Sequence, residues 1–135
     1  MPLIRIDIIE GRHSSADVAA ISSAVHSGLA ECFSVPARDR FQVITEHPAG
    51  RLIYDPGYLD IDRTDGFVLI NVLFGTGRSD EQKKAFYAHV VRAITQQTRI
   101  RPQDVMIALA ENTRADWSFG NGVAQYLTLP REEWK

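Results

Sequence analysis

The sequence predicts an α+β fold, two tandem β-α-β units forming a four-stranded mixed sheet with two helices on one face. Two observations carry that reading. A strand pattern, a helix-period stripe and a second strand pattern occur in that order twice along the chain. The landmarks of the first passage also return in the second. Gly11-Arg12 recurs as Gly77-Arg78 and Pro36 as Pro102 at one interval, while Asp39 recurs as Asp104 and Glu46 as Glu111 at an interval one residue shorter. Each passage joins parallel strands through a right-handed helical crossover. The open face of the sheet is expected to be apolar and to need cover, which points to an oligomer.

The elements follow in order. Ile4, Ile6 and Ile8 alternate with Arg5 and Asp7, the period of a half-buried strand that ends at Gly11-Arg12. Ser14 with Asp17 forms a helix N-cap, and Val18, Ile21, Val25, Leu29 and Cys32 mark one face of a helix running to about Phe33. A connector, Val35-Pro36-Ala37-Arg38-Asp39, leads to a strand over Phe41–Glu46. The stretch from His47 to Gly66 is rich in breakers and reads as a surface excursion with a short hairpin around Leu52-Ile53-Tyr54. Phe67–Phe74 is nearly all apolar, the pattern of a strand covered on both faces. Ser79 and Gln82 make a capping box for a helix that buries Phe86, Val90 and Ile94, and a strand from Val105 to Ala110 follows Pro102 and Asp104. In the tail, Ala124–Leu129 is expected to add an edge strand.

The 135 residues, 44% hydrophobic, fit one domain over 1–135, with repeats at about 2–46 and 67–111 and an extension over 112–135. The net charge of −2 is spread along the chain, so neither a nucleic acid nor a membrane surface is an expected partner. Cys32 is the only cysteine and is expected in the core; His13, His26, His47 and His89 lack metal-ligand spacing. No metal or other cofactor is expected. The N-terminus lacks a signal-peptide pattern, and no apolar run is long enough to span a bilayer. The chain reads as soluble and cytoplasmic.

Four features can carry chemistry. Pro2 heads the first strand; freed of Met1, its secondary amine can act as a base, an acid or an iminium-forming nucleophile. With Met1 attached its nitrogen is an amide, so removal of Met1 is expected in the active protein. Gly75-Thr76-Gly77-Arg78-Ser79 matches neither nucleotide-binding glycine pattern. Arg78 there either grips a carboxylate with two prongs or decorates a solvated helix cap. Asp39 is either functional or one member of a surface ion pair with Arg38 or Arg40. Trp117 and Phe119 either line a pocket or seal a core or an interface.

The opening, Pro2-Leu3-Ile4-Arg5-Ile6-Asp7-Ile8-Ile9-Glu10-Gly11-Arg12, resembles that of the tautomerase superfamily, whose members begin with a catalytic proline. That superfamily includes 4-oxalocrotonate tautomerase and macrophage migration inhibitory factor. The longer pattern resembles the malonate semialdehyde decarboxylase branch. It comprises Val35-Pro36-Ala37-Arg38-Asp39-Arg40-Phe41, Arg78-Ser79-Asp80-Glu81-Gln82-Lys83, Glu111-Asn112-Thr113 and Ala115-Asp116-Trp117-Ser118-Phe119-Gly120, spread in order over nearly the whole chain. The resemblance implies a homotrimer of doubled β-α-β subunits with Pro2 as catalytic amine, Asp39 as its acidic partner and Arg78 as the anchor for a small carboxylate substrate. Trp117 and Phe119 would form an apolar wall, with Tyr126 on the same side. Thr76 stands where the branch pattern has a second arginine and takes that place in the substrate-binding set.

The implied activity is decarboxylation of a small 3-oxo acid such as malonate semialdehyde. Its rivals are tautomerisation of a 2-oxo acid such as phenylpyruvate, and hydration or dehalogenation of a short unsaturated acid. A rival of another class is a non-catalytic trimeric binding protein.

Overall fold

A computed structural model describes residues 1–134. Its sheet contains β1 (Pro2–Ile9), β2 (Phe41–His47), β3 (Val68–Gly75) and β4 (Val105–Asn112) in the spatial order β2-β1-β3-β4. β1 runs parallel to β2 and β3 parallel to β4, while β1 and β3 meet antiparallel at the centre. The connections within each half are the helices α1 (Ser15–Phe33) and α2 (Asp80–Gln97). The expected mixed sheet with both helices on one face is therefore present.

Strand alternation supplies the core. Ile4, Ile6 and Ile8 of β1 and Val68, Ile70, Val72 and Phe74 of β3 are buried against Ile21, Val25 and Leu29 of α1 and Phe86, Val90 and Ile94 of α2. Both helices start with a complete capping box, Ser14 with Asp17 and Ser79 with Gln82. Each box satisfies two otherwise unpaired backbone N–H groups, and its capping side chain contributes about 1 kcal/mol. The helices cross closely at Gly28, where a Cβ would lie 3.1 Å from both Phe86 and Val90. Ser27, His89 and Glu31 meet beside this crossing, Ser27 Oγ 2.8 Å from His89 Nε2 and His89 Nδ1 3.4 Å from Glu31. Although the order resembles a catalytic triad, Ser27 sits inside α1, where backbone N–H groups are committed to the helix and none can cradle an oxyanion. The trio ties the helices together.

Three expectations change. No strand forms at Leu52-Ile53-Tyr54; the excursion is held instead by side chains, with Tyr54 and Arg12 both donating to Asp65 and Thr64 donating twice to the buried carboxylate of Asp104. Pro48, Pro56 and the turn residues leave too short a run for a ladder. Ala124–Leu129 is no edge strand either, since Gln125–Thr128 makes one helical turn, α3. β3 is covered on one face only: Leu69, Asn71 and Leu73 are half-buried on the face away from the helices. That face also presents Phe41, Val43 and Met106, each more than 40% exposed, around Arg5 and the Asp7–His47 pair. Cys32 is half-buried at the margin of the core.

A groove of about 370 Å³ lies among Ile9, Leu52, Tyr54 and Pro56, and the only acid lining it, Asp65, is already bonded to Arg12 and Tyr54. It gathers no reactive groups. No described helix is long and apolar enough to cross a membrane, and no metal-binding cluster occurs among the described residues.

Candidate active site

The antiparallel centre of the sheet brings the start of β1 beside the end of β3, with Pro2 opposite Phe74. The parallel pair adds the end of β4, where Asn112 lies opposite Gly75 and its carbonyl accepts from Thr76 N. The connector to β2 supplies Asp39 from the other side. Residues remote in sequence thus gather where β1 and β2 begin and β3 and β4 end.

Asp39 is held through its backbone. Its N–H donates to Pro36 O at 3.0 Å, and two α1 side chains grip its flanks: His26 Nε2 lies 3.0 Å from Ala37 O, and Ser22 Oγ accepts from Arg40 Nη2 at 2.8 Å. Its carboxylate pairs with neither neighbouring arginine among the described residues, so the surface ion-pair reading of Arg38-Asp39-Arg40 does not hold. Instead Oδ2 accepts from the chain-terminal amine of Met1. Oδ1 is buried and has no hydrogen-bond partner among the described residues, although the Tyr126 phenol lies against the carboxylate. Burial and the Asp39 charge push the Tyr126 pKa up to about 12, so the phenol stays a proton donor.

Arg78 is half-buried, which removes the solvated-cap reading. Its Nη1 donates to Gly75 O at 2.8 Å and its Nη2 to Phe33 O at 3.4 Å. The guanidinium carbon rests 5.7 and 5.8 Å from the ring centres of Phe33 and Phe74. Burial lowers the Arg78 pKa, Glu111 opposes that shift, and Arg131 of the tail adds to it. The group remains a cation at any physiological pH.

Thr76 is exposed and donates to Glu111 Oε2 at 2.9 Å, while Lys83 Nζ lies 2.8 Å from Glu111 Oε1. These bonds hold the Glu111 carboxyl below its ordinary value. Glu111 and Lys83, like His26, are neighbours of the site that single-residue reasoning missed. A carboxylate at a strand end carries no local signal, and only strand register delivers it to Arg78.

The tail closes the site with aromatic rings. Trp117 is fixed by its Nε1–H donating to Asn112 Oδ1 at 2.9 Å, and it stacks on Phe119 with centroids 5.7 Å apart. Phe119 also meets Phe41 of β2 and, edge-on, Tyr126. Tyr126 in turn contacts Trp134. The wall therefore runs from the β4 edge to the β2 edge and ends at Asp39. Pro2 is buried at the head of β1, and its nitrogen is tied up in the Met1–Pro2 peptide bond.

Residues 39–120 match a family model described as tautomerase enzyme, and residues 2–59 match a second model of the same description. Among curated proteins, Probable tautomerase YrdN and Probable tautomerase YusQ of Bacillus subtilis (strain 168) are similar. YrdN is 37% identical over 95% of this chain and 98% of its own, and YusQ 39% identical over 94% and 99%. Among solved structures, a malonate semialdehyde decarboxylase studied for its decarboxylase and hydratase activities superposes with a TM-score of 0.86 at 36% identity, covering 93% of this chain and 96% of its own. A second malonate semialdehyde decarboxylase, inhibited by 3-bromopropiolate, gives the same TM-score at 39% identity, covering 93% and 95%. A fused 4-OT solved as a symmetric trimer, 21% identical, shares the fold with a TM-score of 0.72 over 90% of this chain and 94% of its own.

Proposed function

Because this chain belongs to the tautomerase family, we propose that it acts through the amine of Pro2 and decarboxylates a small 3-oxo acid of the malonate semialdehyde type. The observation that carries the reading is the placement of the chain terminus between Asp39 and Arg78, beside a wall of stacked aromatic rings. Removal of Met1 draws the terminal nitrogen back by one residue, roughly 3.5 Å of extended chain. It leaves a secondary amine facing the Asp39 carboxylate, which favours its charged form.

In this mechanism Arg78 holds the substrate carboxylate and the protonated Pro2 donates a hydrogen bond to the neighbouring carbonyl oxygen. The bond between the α-carbon and the carboxyl carbon breaks, its electrons form the enolate, and carbon dioxide leaves. The α-carbon of the enolate then takes a proton from solvent and becomes the methyl carbon of the product, as the neighbouring carbonyl of the aldehyde re-forms. The Pro2 ammonium stabilises the oxygen as charge develops there. The rings of Trp117 and Phe119 keep water from the departing carboxylate, which favours a transition state of dispersed charge.

The test is a panel of 3-oxo acids, 2-oxo acids and haloacrylates assayed with wild type and Pro2→Ala, after mass spectrometry has verified loss of Met1. Turnover of 3-oxo acids by the wild type alone supports the proposal, and equal turnover by both proteins defeats every amine-based reading. The names of the curated relatives favour a second reading, tautomerisation of a 2-oxo acid, in which Pro2 is a neutral base. A rate that climbs as the amine deprotonates would select that reading.

We further propose a homotrimer, assembled over the apolar face that carries Phe41, Val43 and Met106. Sedimentation equilibrium at micromolar protein tests this, and a monomer would refute it.

A further inference from the structure

We infer that Gly75 sets the length of the acid the site accepts, and that the ligand is a short unbranched oxo acid filling the space that Met1 holds in the unprocessed chain. The inference rests on the reading of Pro2 as the terminal amine of the active protein.

Met1 is not a loose end. Its side chain is only 12% exposed, its amine sits on Asp39, and its methyl group packs over Gly75. It therefore spans the distance from the site's carboxylate to the neighbourhood of its guanidinium. The residue has about eight non-hydrogen atoms, and about six of them form the unbranched run from its amine nitrogen to its methyl carbon. Its removal leaves a slot of that size with Asp39 and Pro2 at one end and Arg78 near the other. A three- to five-carbon oxo acid fits, with its carboxylate toward Arg78 and its carbonyl toward the amine. A phenyl-bearing acid is too long and too wide.

Gly75 closes the far end. A Cβ built there would overlap the Met1 methyl and would otherwise meet only Arg78 Nη1, at 4.0 Å, an ordinary contact. The backbone at Gly75 lies outside the left-handed region, so an alanine is unstrained there. Nothing in the fold of the processed chain requires glycine at this position. What its missing side chain provides is room beside the arginine.

The test measures binding of unreactive unbranched acids, propanoate to hexanoate, by titration calorimetry to protein verified as lacking Met1. It also includes phenylpropanoate. Binding does not depend on turnover, so the result stands apart from the Pro2→Ala assay of function. In wild type, affinity is expected to rise with chain length to a cutoff, with phenylpropanoate excluded. In Gly75→Ala the cutoff is expected one carbon earlier, with at least tenfold weaker binding of the five-carbon acid, in line with methylene discrimination in closed pockets.

An unmoved cutoff, a uniform loss for all acids, or good binding of phenylpropanoate to wild type would overturn the inference. Protein that retains Met1, made with methionine aminopeptidase inhibited, provides a second arm that needs no variant. It is expected to bind none of the acids, and binding equal to that of processed protein would refute the slot.

Discussion

Replacing Arg78 with lysine keeps the positive charge and removes the planar fork, which separates charge from geometry in the proposed anchor. A guanidinium carries five N–H donors. In this structure the Gly75 and Phe33 carbonyls take two of them, and the Phe33 and Phe74 rings lie close to the guanidinium carbon. The other three remain for a two-pronged grip on a carboxylate. Two charge-assisted hydrogen bonds at about 1.5–2 kcal/mol each come to about 3–4 kcal/mol. That corresponds to a loss of roughly 10²- to 10³-fold in kcat/KM for Arg78→Ala. The lysine variant keeps a single charged contact and is expected to lose about tenfold, mainly through KM. The assay is reduction of the aldehyde product by a coupled dehydrogenase, with melting temperatures in parallel to exclude unfolding. Arg78→Ala within threefold of wild type would refute the anchoring argument.

Four further outcomes are expected. His26→Phe frees the Ala37 carbonyl and should lower kcat/KM about tenfold with a displaced pH profile, whereas His26→Gln, whose amide can reach the same oxygen, should restore most of it; equal loss in both would argue against a positioning role. Tyr126→Phe should remove the highest component of the ultraviolet phenolate titration, near pH 12, and the small stability contribution of that phenol should fade as pH rises from about 10 toward about 12. Lys83→Met should lower stability near neutral pH: the Glu111 bond contributes fully above the ordinary glutamate value of 4.5 and is lost as pH falls through the lowered folded value, so wild type and variant should converge in strong acid. Phe86→Ala should cost about 3–5 kcal/mol in urea unfolding, because the ring is fully buried and stacks on Phe33 at 5.0 Å.

Much of the fold was legible because its signals are local. Alternation of Ile4, Ile6 and Ile8 sets a strand's inner face wherever the strand lies, and Ser14 with Asp17 caps a helix by contacts within four residues. The misreadings share a cause. Leu52-Ile53-Tyr54 and Ala124–Leu129 are short apolar runs whose conformation is decided by distant partners: Asp65 for Tyr54, and Phe119 and Trp134 for Tyr126. Coverage of β3 was overestimated because Leu69 and Leu73 are as apolar as the buried residues between them, and apolar side chains on both faces do not say which face the helices cover.

The repeat marks where sequence information ends. It offers two aspartates at equivalent places, and their fates differ: both oxygens of Asp104 are bonded to Thr64, while Asp39 keeps one oxygen unpartnered beside the chain terminus. It offers two Gly-Arg pairs, yet Arg12 lies on the surface against Asp65 while Arg78 is pressed between two phenylalanine rings and the strand end. By itself the sequence determined the four strands of the sheet, the two long helices, their order and the set of residues able to do chemistry, because periodicity and capping act over a few residues. Only the tertiary structure decided which copy of each pair meets the terminus. That choice is made by the antiparallel junction of β1 with β3 and by the aromatic tail, contacts that span the whole chain.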